Sequence, residues 1–231
     1  MNKQDKSPIS RVNNYIGNLT KEQIENKHHR DKIGGFWEEL GQLQMDFMKA
    51  KGLRAEHRLL DIGCGCLRGG LKFIDYLQAG HYHGSDINES LIEAGKIEVA
   101  EANLQDKMPQ LQVSNCFGFG EFNTTFDRMI AFSLFTHLHM NLILQCLKHA
   151  HQCLHDDGRF YATFFIAQED VQERPVDDTP GNIITHFEMD PFHYSMAEIQ
   201  MMAQHIGFQA AHEPSFDHPR GQSMVCFTKS V

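Results

Sequence analysis

The sequence predicts a doubly wound α/β fold: a mostly parallel sheet with an antiparallel last strand, preceded by N-terminal helices. Three observations predict it. From Arg58 onward, short apolar β-rich runs alternate with segments of helical periodicity. The first run, "RLLDIG", leads straight into glycines, as a tight strand-to-helix turn requires. The chain closes with two strand-like runs, "FQAAHE" and "SMVCFTK", joined by the short "PSFDHPRGQ". A short loop between consecutive strands makes an antiparallel pair, so the last strand runs against the others.

Taken in order, the elements begin with a capping box. Thr20 and Gln23 open a helix expected over 21–32. A second helix repeats apolar residues at Phe36, Leu40, Leu43 and Phe47 and stops at Gly52. Residues 1–52 therefore read as a helical cap and 53–231 as the main domain. After the "RLLDIG" strand, Leu71, Ile74 and Leu77 share a helical face in a segment expected to end at Gly80. "HYHGSDI" is a second strand, "ESLIEAGKIEVAEANL" a helix weakened by Gly95, and "LQVSN" a third strand. "FDRMIAFS" is a fourth strand. Its helix carries Leu142, Ile143, Cys146, Leu147 and Ala150 inward, and "GRFYATFFIA" is a fifth strand. A long connection, 168–194, precedes a helix with a capping box at Ser195 and Glu198, a hydrophobic staple of Tyr194 on Ile199, and a stop at Gly207.

Composition narrows the function classes. With 231 residues, 41% of them hydrophobic, the chain can build one large core. A net charge of −9 without a basic tract disfavours nucleic acid. No run of about 18 apolar residues suggests a membrane span, and the polar start lacks the apolar stretch of a signal peptide. The expected compartment is the cytoplasm. The six cysteines show no zinc spacing, and the 15 histidines form no H-E-x-x-H helix, so no metal is expected. Oligomeric state is left open.

The glycine segment "LLDIGCGCLRGG" decides among ligands. A dinucleotide loop reads G-x-G-x-x-G. Here Arg68 stands where the third glycine belongs, and the pattern is D-x-G-x-G-x-x-x-G, with Asp61 ahead of Gly63, Gly65 and Gly69. An acidic group at the strand end repels phosphate and suits a cationic ammonium or sulfonium ligand. With Asp86 ending the second strand, the fourth strand and the antiparallel close, residues 35–231 resemble the class I S-adenosylmethionine-dependent methyltransferases, small-molecule type, which are Rossmann-like.

The resemblance implies S-adenosylmethionine as cofactor. Asp61, Gly63, Cys64 and Gly65 would form its loop, with Asp86 and Ile87 at the ribose. Asn115 or Cys116, with Phe117, would meet the adenine, Ser133 would follow the fourth strand, and Trp37 of the leading helix would pack across the cofactor. Arg68 has two readings: an exposed cation at a helix start, where the dipole disfavours it, or a partner for a carboxylate of cofactor or substrate. His137, beyond the fourth strand, is the candidate general base. His186, His193 and Tyr194 in the long connection, and Arg220 near the C-terminus, are candidate substrate contacts.

The leading expectation is methyl transfer to a small-molecule acceptor at an oxygen or nitrogen, by in-line displacement. The alternatives are an RNA or protein methyltransferase, and a non-catalytic S-adenosylmethionine-binding protein. A nicotinamide oxidoreductase is disfavoured by the glycine spacing.

Overall fold

The computed structural model describes residues 15, 17–168, 173–177 and 179–230. The polar first 14 residues, and residues 169–172 and 178 of the long connection, lie outside the described set. Helices α1 (Lys21–Glu25), α2 (His28–Lys32) and α3 (Trp37–Ala50) come first. Then follow β1 (Leu59–Ile62), α4 (Gly70–Tyr76), β2 (Tyr82–Asp86), α5 (Glu89–Glu101), β3 (Gln110–Val113) and β4 (Phe126–Ala131). The chain continues through α6 (Met140–Cys153), β5 (Leu154–Ile166), β6 (His193–Tyr194), α7 (Met196–Ile206), β7 (Phe208–Glu213) and β8 (Ser223–Lys229).

The sheet order is β3-β2-β1-β4-β5-β8-β7, with the two-residue β6 beside β5. Strands β1 to β5 pair in parallel, and β8 lies antiparallel between β5 and β7, as the short final loop required. Period-two alternation feeds both faces. Phe160, Ala162 and Phe164 of β5 join Val225 and Phe227 of β8 under α6 and α7. Tyr161, Met224 and Cys226 face the other way, into the layer with Leu40, Met48, Phe73 and Ile92. Gly95 is required where it stands: a β-carbon there would lie 2.9 Å from Leu67 Cγ, so α5 reaches the glycine loop only without a side chain.

Several boundaries differ from the sequence expectation; β5 begins at Leu154 rather than Gly158, and α5 ends at Glu101 rather than Leu104. The helix expected over 21–32 is broken into α1 and α2 at Lys27, whose backbone is left-handed at φ 62°. Helix α4 stops at Tyr76, short of Gly80; Leu77 is extended, and Lys107 Nζ binds the carbonyls of Asp75 and Leu77. Both capping boxes form, at Thr20 and Ser195, and Tyr194 and Ile199 lie in one core cluster.

The break at Lys27 turns α2 onto α5. Glu98, 2% exposed, receives Arg30 Nε at 2.8 Å and Nη2 at 2.7 Å, and sits 2.7 Å from His29 Nε2. Arg30 also stacks over Trp37, 4.4 Å from the ring centroid. Burial raises the Glu98 pKa, but the bonds from Arg30 and His29 outweigh it and pull it down to about 2. A depressed carboxylate stabilises the fold above its ordinary pKa of 4.5 and loses that contribution as pH falls from there towards 2. Glu98→Ala is expected to cost about 2–3 kcal/mol at pH 7, since it strands buried His29 and half-exposed Arg30. Urea unfolding of both proteins at pH 7 and pH 3 checks this: the difference should shrink at pH 3, and an equal difference at both would contradict the charge-based account.

Candidate active site

A cleft of about 760 Å³, its open mouth included, lies at the carboxyl ends of β1, β2 and β4. It is where open α/β sheets bind ligands. The turn after β1 supplies Gly63, Cys64 and Gly65; β2 ends in Asp86 and Ile87; the segment after β4 gives Phe132, Ser133, Leu134 and His137. Tyr15 and Ile33 close the cleft from the N-terminal side, and Gln44 reaches it from α3.

The glycine turn is shaped by backbone constraints. Gly63 has φ +72°, and a β-carbon on it would lie 3.1 Å from Leu134. Its N–H and that of Cys64 donate to the Ser85 carbonyl at 2.8 and 3.2 Å, tying the turn to β2. Gly65 N–H donates to Asp86 Oδ2 at 2.9 Å and Asn88 N–H to Oδ1 at 2.8 Å. Burial raises the Asp86 pKa, while the backbone N–H groups of Asn88, Gly65 and Ile87 hold it down. Asp61 is 4% exposed and accepts from Tyr82 O–H at 2.8 Å. Burial pushes its pKa up to about 7; the Tyr82 bond opposes that and the Asp86 charge adds to it. Two acidic groups without a cationic partner thus sit on one wall.

One cation, Arg68, also lines the cleft. Arg68 is 8% exposed, so it is neither a solvent-exposed cation nor paired with a protein carboxylate. Its Nη1 donates to the carbonyls of Ile33 and Gly35 at 3.1 and 2.9 Å, and its buried Nε has no partner. Burial lowers its pKa to about 10. Arg220 Nη2 donates to the Gly34 carbonyl at 2.6 Å, and its guanidinium lies over Phe36. Behind them, burial and then the charges of Arg68 and Arg220 lower the His218 pKa to about 4.

At the end of the cleft, His137 Nδ1 lies 2.5 Å from Asp190 Oδ1. The Tyr15 ring stands edge-on to the His137 ring, centroids 4.9 Å apart. Burial and then the Asp190 charge raise the Tyr15 pKa.

Of the residues expected from sequence, Asp61, Gly63, Cys64, Gly65, Arg68, Asp86, Ile87, Ser133 and His137 line the cleft together. Several others do not line it. Trp37 packs on Arg30 and His29, because α2 turns its cation onto the indole. Asn115 and Cys116 are exposed beyond β3, and Phe117 packs on Phe119 while its carbonyl meets His149. His186 is half-buried and bridges to Phe192. His193 Nδ1 lies 2.8 Å from Thr185 Oγ1 beside a separate cavity. Tyr194 O–H donates to the Leu138 carbonyl inside the core. Arg220 is held at Gly34. Sequence reasoning missed Tyr15, Ile33, Gln44, Leu91, Phe132 and Leu134. Gln44 had a signal: it is a polar residue in the apolar stripe of α3, four places after Leu40. Cys64 and Cys66 are buried thiols, the latter pushed up to about 12 by burial. No group of metal-binding side chains occurs among the described residues, and no described helix is long and apolar enough to cross a membrane.

The polarity of the cleft fits a zwitterionic sulfonium nucleoside. Asp61, Asp86 and Arg68, which makes no salt bridge among the described residues, line it together, and the left-handed Gly63 lets the turn pass close to Leu134. Comparisons with known proteins agree. The methyltransferase domain family matches residues 60–160. The fold is similar to magnesium protoporphyrin IX methyltransferase from Synechocystis PCC 6803, solved with bound SAM, at TM-score 0.59 and 13% identity, covering 97% of this chain and 92% of that one. It is also similar to an S-adenosylmethionine-dependent methyltransferase from Clostridium acetobutylicum ATCC 824, at TM-score 0.63 and 12% identity over 90% and 98% of the two chains. The ribosomal protein L11 methylase from Lactobacillus delbrueckii subsp. bulgaricus aligns at TM-score 0.55 and 12% identity over 82% and 78%. The glycine turn, the strand-end acids and strands β2 to β4 lie within the stretch that matches a methyltransferase domain, and the whole chain shares its fold with S-adenosylmethionine-dependent methyltransferases.

Proposed function

We propose that this methyltransferase acts on a small-molecule acceptor at an oxygen or nitrogen, in the cleft beneath Tyr15 and Ile33, and that it works in the cytoplasm. The observation that carries the reading is the roof. Tyr15 and Ile33 close the cleft from the N-terminal side, with Tyr15 against His137, which favours a small acceptor over a folded partner. The net charge of −9 also argues against a polynucleotide. In this reading residues 1–52 are the cap on the domain 53–231, and the 168–194 connection borders the acceptor site through Asp190, which meets His137.

When bound, S-adenosylmethionine supplies an electrophilic methyl carbon. The chain's task is to bind, orient and exclude water. Asp86 keeps lone pairs for ribose hydroxyls while three backbone N–H groups fix its carboxylate. Asp61 offers negative charge to the cationic end, and Arg68 offers its free donors to a carboxylate. His137 takes the acceptor's proton as general base. The backbone around Ser133, left-handed at φ 55° and held by Thr163 Oγ1 at 2.7 Å and by Gln222, shapes the floor between them.

Two measurements test this. Asp86→Ala is expected to weaken binding of S-adenosylhomocysteine at least about tenfold, since hydrogen bonds to a charged acceptor are worth about 1.5–3 kcal/mol each. Calorimetry with unchanged circular dichroism checks it, and unchanged affinity would contradict the ribose assignment. For the acceptor, the protein is incubated with isotopically labelled methyl donor and a cell extract. Label is expected in low-molecular-mass products, and His137→Ala should lower its rate of appearance by about 10²-fold or more. Label confined to protein or RNA would assign a macromolecular acceptor instead. Tight cofactor binding without any labelled product would point to a non-catalytic binder.

A further inference from the structure

Asp190 lies 53 residues from His137 in sequence, yet its Oδ1 is 2.5 Å from His137 Nδ1, and its side chain is only 9% exposed. The contact is built from both sides. Phe192 N–H donates to the Thr136 carbonyl at 2.7 Å, tying the connection that carries Asp190 to the turn that carries His137. His186 N–H closes on the Pro191 carbonyl at 2.9 Å, and Thr185 Oγ1 meets His193 at 2.8 Å, so Asp190 projects from a braced loop. Tyr15 packs edge-on against the imidazole from the roof and restricts its rotation.

An ionised carboxylate only accepts hydrogen bonds, so the imidazole nitrogen facing it carries the proton. The neutral ring is then held with Nδ1 protonated and Nε2 bearing a lone pair. Nε2 makes no hydrogen bond among the described residues, and His137 lines the cleft. A ring fixed in this way is arranged to receive a proton. An acceptor that is already an oxyanion has none to give.

We infer that Asp190 is a positioning residue that holds His137 in its Nδ1-protonated tautomer, and that the acceptor of this enzyme is a proton-bearing nucleophile, a hydroxyl or an amine, rather than a carboxylate. The inference rests on the methyl-transfer reading above. The electron pair of the acceptor oxygen or nitrogen forms the bond to the methyl carbon as the carbon–sulfur bond breaks and its pair stays on sulfur. The acceptor's proton passes to His137 Nε2. The imidazolium so formed is stabilised by Asp190, and it returns the proton to solvent after the product leaves. Charge balances: a cationic donor and a neutral acceptor give a neutral thioether, a neutral methylated product and one released proton.

The test has two arms. In the first, nitrogen-15 spectra of histidine-labelled protein with S-adenosylhomocysteine bound, at pH 8, identify the tautomer of His137, assigned by its loss in His137→Gln. The wild type should show the Nδ1-protonated form, and Asp190→Asn should lose that preference while Asp190→Glu keeps part of it. An Nε2-protonated ring in the wild type, or the same tautomer in Asp190→Asn, overturns the positioning role, and the wild-type spectrum decides even if a variant fails to fold. In the second arm, the labelled product from the extract is identified. Methyl on a hydroxyl oxygen or an amine nitrogen is expected, with kcat of Asp190→Asn reduced by about 10²-fold, KM for S-adenosylmethionine within about twofold, and partial recovery in Asp190→Glu. A methyl ester of a carboxylate, formed at the same rate by Asp190→Asn, overturns the acceptor class. An extract that yields no product counts against the methyl-transfer reading, while the tautomer arm still decides the role of Asp190.

Discussion

The structure depends on one topological constraint: the reversal of strand order between β1 and β4. Strands β1, β2 and β3 run outward in one direction and β4 and β5 in the other, all parallel. Their helices must leave on opposite faces, so the carboxyl ends of β1 and β4 open a crevice between them. Asp61, Arg68, Asp86 and His137 gather there. The glycine turn leaves β1 along one side and the Phe132–His137 segment leaves β4 along the other. Leu134 fills the space above Gly63 that a larger residue would take. Burying Asp61 and Asp86 beside this crevice is costly, and no salt bridge offsets that cost among the described residues.

A crevice alone would be a shallow groove. Its depth comes from the N-terminal segment, which is pinned by polar contacts more than by apolar area. Asn88 holds the carbonyls of Tyr15 and Gly17, and Ser90 receives the Leu19 N–H. Glu98 takes His29 and Arg30. Arg68 and Arg220, far apart in the chain, grip the consecutive carbonyls of Ile33, Gly34 and Gly35. The left-handed run Gly34, Gly35 and Phe36 turns the chain there between α2 and α3. These anchors come from the β2–α5 turn, from α5, from the glycine loop and from the final hairpin, so the roof is coupled to the same elements that bind the ligand. Arg68 is shared: it stabilises the roof through neutral carbonyls and keeps its charge for the cleft.

The sequence was most legible where function and local geometry coincide. Asp61, Gly63, Gly65 and Asp86 are tied to strand ends, so spacing along the chain reads them directly. The capping boxes at Thr20 and Ser195 are equally local. Asp190 and Tyr15 were not legible, because each is brought to the cleft by a fold contact far from it in sequence. Trp37 is instructive: the leading helix does border the site, but its aromatic residue is claimed by Arg30 once the chain breaks at Lys27, and Gln44, two turns on, reaches the cleft instead. The expected adenine contacts failed to gather for a related reason. The turn after β3 points Asn115 and Cys116 to solvent, which periodicity cannot foretell.

The central claim is that the acidic strand ends and the irregular glycine spacing select a sulfonium nucleoside over a dinucleotide. The most direct measurement is a paired calorimetric titration of the intact protein with S-adenosylhomocysteine and with NAD under identical conditions. The account predicts saturable one-to-one binding of S-adenosylhomocysteine and no detectable heat with NAD. Saturable binding of NAD with none of S-adenosylhomocysteine would contradict it.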